Sequence, residues 1–104
     1  MRNYRSRLDI IANILEVADQ NASKTRIMYQ ANLNYKVLQK YLKEVTVASL
    51  ISFKKVDGYF VLTPKGKLFL EIYNDYAKMR KRVEKRLRDV YKKRTNLEEL
   101  CSNK

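Results

Sequence analysis

A chain of 104 residues, 45% of them hydrophobic, suffices for one small domain with an appendage and a modest core. With no histidine there is no imidazole base and no His-ligated metal, and a single cysteine, Cys101, rules out a four-cysteine metal site and argues against a disulfide framework. The formal net charge of +12 instead favours a polyanionic partner, nucleic acid first and an acidic membrane surface second.

In chain order, residues 5–19 place Ile10, Ile11, Ile14, Leu15 and Ala18 on one face and predict a first helix. Gln20 to Ala22 is a polar break. Ser23 is suited to cap a short second helix, Lys24 to Ala31, which buries Ile27, Met28 and Ala31. Asn32-Leu33-Asn34 predicts a tight turn, since Asn tolerates the left-handed conformation, and Asn34 doubles as cap of a third helix, Tyr35 to about Val47. That helix turns Val37 or Leu38, Tyr41, Leu42 and Val45 inward. Its other face carries Lys36, Gln39, Lys40 and Lys43 as one polar stripe. Leu50 to Val56 reads as a strand, Asp57-Gly58 as a type I′ turn with positive φ at both residues, and Tyr59 to Leu62 as the returning strand.

Thr63 and Pro64 then open the last helix, as N-cap and first helical residue. After Gly66 no breaker occurs until Thr95-Asn96. This predicts about thirty helical residues, about 45 Å at 1.5 Å per residue. That is longer than a globule of this chain is wide, so the distal half is expected to project and to need a partner. Leu68, Ile72, Tyr76, Met79, Val83, Leu87 and Val90 recur at steps of four and three, a coiled-coil seam with an irregularity at Leu87. Charge concentrates there: residues 77–94 hold ten Lys and Arg against Glu84 and Asp89. The tail, Thr95 to Lys104, is expected to fray. No apolar run approaches the length of a transmembrane helix, and Met1-Arg-Asn-Tyr-Arg is not followed by a leader-like apolar region.

Two short helices joined by a tight turn and followed by a β-hairpin give the winged helix-turn-helix order, so the expected fold is mainly α with a small β wing. The expected division is a winged domain over 1–76, a coiled-coil dimerisation segment over 77–94 and a tail over 95–104. T-R-I-M-Y-Q-A-N-L-N-Y at Thr25–Tyr35, K-Y-L at Lys40–Leu42, L-I at Leu50–Ile51 and Y-F-V-L-T-P-K-G at Tyr59–Gly66 resemble a group of archaeal winged-helix proteins. The long last helix resembles that of the small chromatin-associated members. The resemblance implies DNA binding, in chromatin organisation or transcription regulation, and dimerisation through an antiparallel coiled coil. Where such proteins usually have Gly before the strand, this chain reads V-T-V-A-S at Val45–Ser49, so a different helix cap is expected.

Within a helix-turn-helix order the stripe Lys36, Gln39, Lys40 and Lys43 reads as a major-groove face, with Tyr35 beside it. Gln39 and Asn34 alone have side chains suited to bidentate adenine contact; the lysines serve as point charges, which implies weak sequence preference. Lys54 and Lys55 at the wing suit the minor groove, and Lys24 and Arg26 suit phosphates. Cys101 reads as a plain free thiol, consistent with a reducing cytoplasm and a nucleoid-associated protein.

No catalytic constellation, phosphate loop or cofactor motif is present, so a non-enzyme without cofactor, small-molecule substrate or membrane is expected. The dimer is expected to pair through Ile72, Tyr76, Met79, Val83, Leu87 and Val90. An antiparallel pairing sets Glu71 and Asp75 against the basic end of the partner and opposes the helix dipoles, whereas a parallel one stacks like charges. The alternative reading is a protein-interaction coiled coil whose charge serves only solubility.

Overall fold

In the computed structural model, which describes residues 5–102, each of the first three helices starts where a short polar side chain caps it. Ser6 opens α1 (Arg7–Ala18) in a reciprocal capping box: its hydroxyl accepts from the Asp9 N–H at 3.3 Å, and the Asp9 carboxylate accepts from the Ser6 N–H at 2.9 Å. Ser23 caps α2 (Lys24–Gln30), accepting from the Arg26 N–H at 3.2 Å. Asn34 caps α3 (Tyr35–Val47), its carboxamide oxygen accepting from the Val37 N–H at 2.9 Å. The stretch Met1–Tyr4, part of the stretch read for a leader, and residues 103–104 of the tail lie outside the described residues.

Helix ends are set by left-handed residues. Asn32 (φ 54°) follows α2, and the Leu33 N–H reaches back to the Met28 carbonyl at 3.0 Å. Ala31 is therefore the C-cap, one residue beyond the helix rather than its last member. At the end of α3, Ser49 adopts φ 62°, and the Leu50 N–H bonds the Val45 carbonyl at 2.9 Å. The motif is the one glycine usually serves, with serine in its place, and this is the altered cap that V-T-V-A-S foreshadows. Arg5 adds a tie that no local pattern reveals: its guanidinium donates to the carbonyls of Ala31 (2.6 Å) and Asn32 (2.8 Å) and to the Asn13 carboxamide (3.0 Å).

The hairpin pairs β1 (Ile51–Lys54) with β2 (Tyr59–Leu62) antiparallel, in register Ile51↔Leu62 through Lys54↔Tyr59. Two expectations are corrected here. The first strand does not extend over Leu50 to Val56, because Leu50 closes the cap of α3 and residues 55–58 form the connection. Nor is the turn type I′: the N–H groups of Asp57 and Gly58 both donate to the Lys54 carbonyl (3.2 and 2.8 Å), and positive φ falls on Gly58 (71°) but not on Asp57. The polar break before α2 contributes a further rung, since Ala22 and Phe60 exchange both backbone hydrogen bonds at 3.1 and 2.8 Å.

These elements enclose one core. Ile11, Ile14 and Leu15 of α1 meet Ile27 of α2, Leu38, Leu42 and Val45 of α3, and Ile51 of β1. Leu38 is buried and Val37 only half-buried, which resolves the sequence alternative. α4 (Pro64–Leu100) begins against this core. The Thr63 hydroxyl accepts from the Gly66 N–H at 3.0 Å and donates toward the carbonyls of Ser49 (2.6 Å) and Leu50 (3.0 Å). The Tyr73 hydroxyl donates to Asp9 Oδ1 at 2.5 Å, anchoring α4 to α1.

α4 does not stop at Thr95-Asn96 as expected; it continues to Leu100. The Thr95 hydroxyl bonds the Tyr91 carbonyl at 3.0 Å within the helix, and Leu97, Glu98, Glu99 and Leu100 are good helix formers. The described residues fall into two compact units, one ending at Tyr73 and the other beginning at Asn74, with α4 running through the boundary. No helix among the described residues is long and apolar enough to cross a membrane.

Candidate nucleic-acid interface

Because Leu38, Tyr41, Leu42 and Val45 face the core, helical spacing turns Lys36, Gln39, Lys40 and Lys43 outward, and all four are exposed. Glu44 is the one acid of α3. It pairs with Arg7 of α1, so its charge is neutralised away from the lysines. The outer face is thereby left cationic.

Lys24, the first residue of α2, completes this surface from another element. Its ammonium donates to Gln39 Oε1 at 2.7 Å, lies 3.5 Å from the Tyr35 hydroxyl and sits 4.8 Å over the Tyr35 ring. Lys24, Gln39 and Lys43 border one shallow hollow with Leu42, Thr46, Val47 and Phe60. Tyr35 and Val47 are exposed beside it. Lys40 leans over Tyr41, its ammonium 5.3 Å from the ring centroid. Arg26 on α2, Lys54 at the end of β1 and Lys55 in the hairpin connection are exposed, and Val56 at the same tip is 97% exposed.

This geometry has a chemical consequence for Asn34 and Gln39. Bidentate adenine contact needs both an amide oxygen and an amide nitrogen. The Asn34 oxygen is held by the cap of α3, and the Gln39 oxygen is held by Lys24. Each oxygen keeps a second lone pair, but the bond it already accepts fixes its direction, so the NH2 is the freer group, a donor suited to guanine O6 or N7, thymine O4 or a phosphate oxygen. The sequence places Lys24 fifteen residues before Gln39, a separation with no periodicity to flag it. The contact joins the first residue of α2 to the exposed face of α3. Arg7, which neutralises Glu44, is equally invisible from spacing.

A second surface lies on α4. Ile72, Tyr76, Met79, Val83, Leu87 and Val90 are all exposed, between 41% and 65%. Arg80 stacks on Tyr76 at 5.2 Å. The extra helical turns carry the pattern on to Leu97, one heptad beyond Val90 and 64% exposed.

Against known proteins, the winged helix-turn-helix family model matches residues 4–81. An uncharacterized protein of Methanocaldococcus jannaschii is 41% identical over 68 residues, 64% of this chain and 31% of that protein, so the chain spans about a third of this relative's length. The crystal structure of Sso10a-2, a DNA-binding protein from Sulfolobus solfataricus, is similar at a TM-score of 0.69 and 25% identity, over 96% of this chain and 100% of that one.

Proposed function

The chain belongs to the winged helix-turn-helix family, and from that premise we propose that it is a non-enzymatic double-stranded DNA-binding protein that acts as a homodimer. The observation that carries the reading is the exposed, acid-free face of α3, Lys36, Gln39, Lys40 and Lys43, extended by Lys24 from α2. Its likeness to Sso10a-2, a DNA-binding protein, supports the same assignment. α3 enters the major groove, Tyr35 and Asn34 flank the contact, Lys54 and Lys55 of the wing approach the minor groove, and Lys24 and Arg26 meet phosphates. With lysines dominant and the amide oxygens of Asn34 and Gln39 engaged, binding is largely electrostatic and sequence preference modest. That suits chromatin organisation ahead of regulation at single promoters, in a cytoplasmic nucleoid.

The dimer reading rests on the exposed seam Ile72, Tyr76, Met79, Val83, Leu87 and Val90, which a helix in water does not keep unpartnered. Antiparallel pairing brings Glu71 and Asp75 toward the basic end of the partner helix. The same seam favours a second reading, a coiled-coil module for protein partners that does not bind DNA.

A salt titration separates the two. Counterion release gives a log–log slope of about −0.9 per phosphate neutralised. Replacing Lys36, Lys40 and Lys43 together by Ala is expected to flatten the slope by about one unit per lost contact. A folded triple variant with the wild-type slope refutes the α3 assignment, and a wild type without duplex affinity at low salt favours the protein-partner module.

A further inference from the structure

α4 has a second face that the winged domain's chemistry does not use. Lys81, Lys85, Arg88 and Lys92 follow one another at steps of four, three and four, so at 100° per residue they fall within a narrow arc. That arc lies opposite the one holding Met79, Val83, Leu87 and Val90. Lys78 and Arg82 border it, and all six cations are exposed. Their side chains line one continuous pair of shallow hollows along the helix, the first bordered by Lys78, Lys81, Arg82, Lys85 and Arg88, the second by Lys85, Arg88 and Lys92.

We infer that this stripe is a second duplex-DNA contact surface, binding the phosphate backbone independently of α3; the inference rests on the reading of the chain as a DNA-binding protein. Two features distinguish the stripe from an ordinary solvated helix face. An ordinary face alternates signs along its length, whereas here the like-charged pairs Lys78–Lys81, Lys78–Arg82, Lys81–Lys85, Arg82–Lys85, Lys85–Arg88 and Arg88–Lys92 follow one another, with Asp75, Glu84 and Asp89 as the acids at i±3 or i±4. Asp89 is the one acid lining the two hollows, and among the described residues none of the six cations is held in an ion pair. The charge also repeats regularly along the axis. From Lys81 to Lys92 the helix rises about 16 Å, and a duplex, with one charge per about 1.7 Å of its axis, offers about ten phosphate charges over that length, enough to face all four cations. Pairing through the opposite face leaves the stripe outward in the dimer.

The test compares two variants of the full chain with equal charge loss. Lys85→Gln with Lys92→Gln removes two members of the stripe. Arg86→Gln with Lys93→Gln removes two cations one position further along, well round the helix. Gln is a good helix former, and circular dichroism with sedimentation checks that helix and assembly state persist. On a random-sequence duplex, the stripe variant is expected to flatten the log–log salt slope by about one to two units, and the control variant by clearly less. Equal changes in both, or none in the stripe variant, overturn the inference while leaving the α3 assignment standing. A wild type that binds no duplex overturns both. Loss of binding by the stripe variant to vesicles of phosphatidylcholine and phosphatidylserine, with DNA binding intact, assigns the stripe to a membrane surface and likewise overturns it.

Discussion

Gly66→Ala sets two effects of opposite sign against each other at the start of α4. Helix propensity favours the substitution by about 1 kcal/mol, because glycine in a helix loses more backbone freedom than alanine. Packing opposes it. A Cβ on Gly66 would stand 2.2 Å from the Leu50 carbonyl oxygen and 2.5 Å from Leu62 Cδ1. The leucine methyl can rotate away, but the carbonyl is backbone, and it is held by the Thr63 N–H at 3.1 Å and the Thr63 hydroxyl at 3.0 Å. Relief therefore means moving the first turn of α4 off the end of α3. Overpacking of this kind costs about 1–3 kcal/mol, and weakening two hydrogen bonds adds about 0.5–1.5 kcal/mol each. The net prediction is a loss of about 3 kcal/mol, read as a fall in melting temperature of about 15 °C at fixed protein concentration. Thermal unfolding followed by circular dichroism measures it. A melting temperature equal to or above wild type, as propensity alone requires, would refute the argument that close approach rather than flexibility dictates glycine here.

Three further outcomes follow from the same geometry. Val83→Asp, near the middle of the exposed seam, is predicted to give monomers in sedimentation that still bind DNA, more weakly and with about half the salt slope; a dimeric variant rules out this seam as the interface. Ser49→Gly should raise stability by about 0.5–1 kcal/mol, because serine at φ 62° carries a left-handed strain that glycine lacks; urea denaturation showing a loss would mean that the cap depends on the serine side chain. Lys24→Met frees the Gln39 amide oxygen and should shift selected sites toward adenine opposite Gln39, measurable by binding-site selection; an unchanged selection shows that Gln39 does not read bases.

The sequence by itself determined the starts of α2, α3 and α4 and the winged order, because those signals are local, whereas the Ser6 cap of α1 went unread. Ser23, Asn34 and Thr63 cap the helices they precede, whatever packs on them, and Ile11, Ile14, Leu15, Tyr41, Leu42 and Val45 advertise their faces by period. The seam and its opposite cationic stripe are legible for the same reason, since a helix fixes the angular position of each residue. Where one residue had to serve two elements, local reading went wrong. Leu50 looked like strand but closes the cap of α3, and Thr95 looked like a stop but bonds back to Tyr91. The residues of the candidate surface were named from the sequence, but how they engage one another was decided only by tertiary structure. Lys24 reaches Gln39, Arg7 neutralises Glu44, Arg5 seals the end of α2 and Leu50 forbids a side chain at Gly66, all across separations of fifteen to thirty-seven residues. Such contacts carry no period along the chain, because their spacing is set by how helices pack against one another and not by the repeat of any one of them.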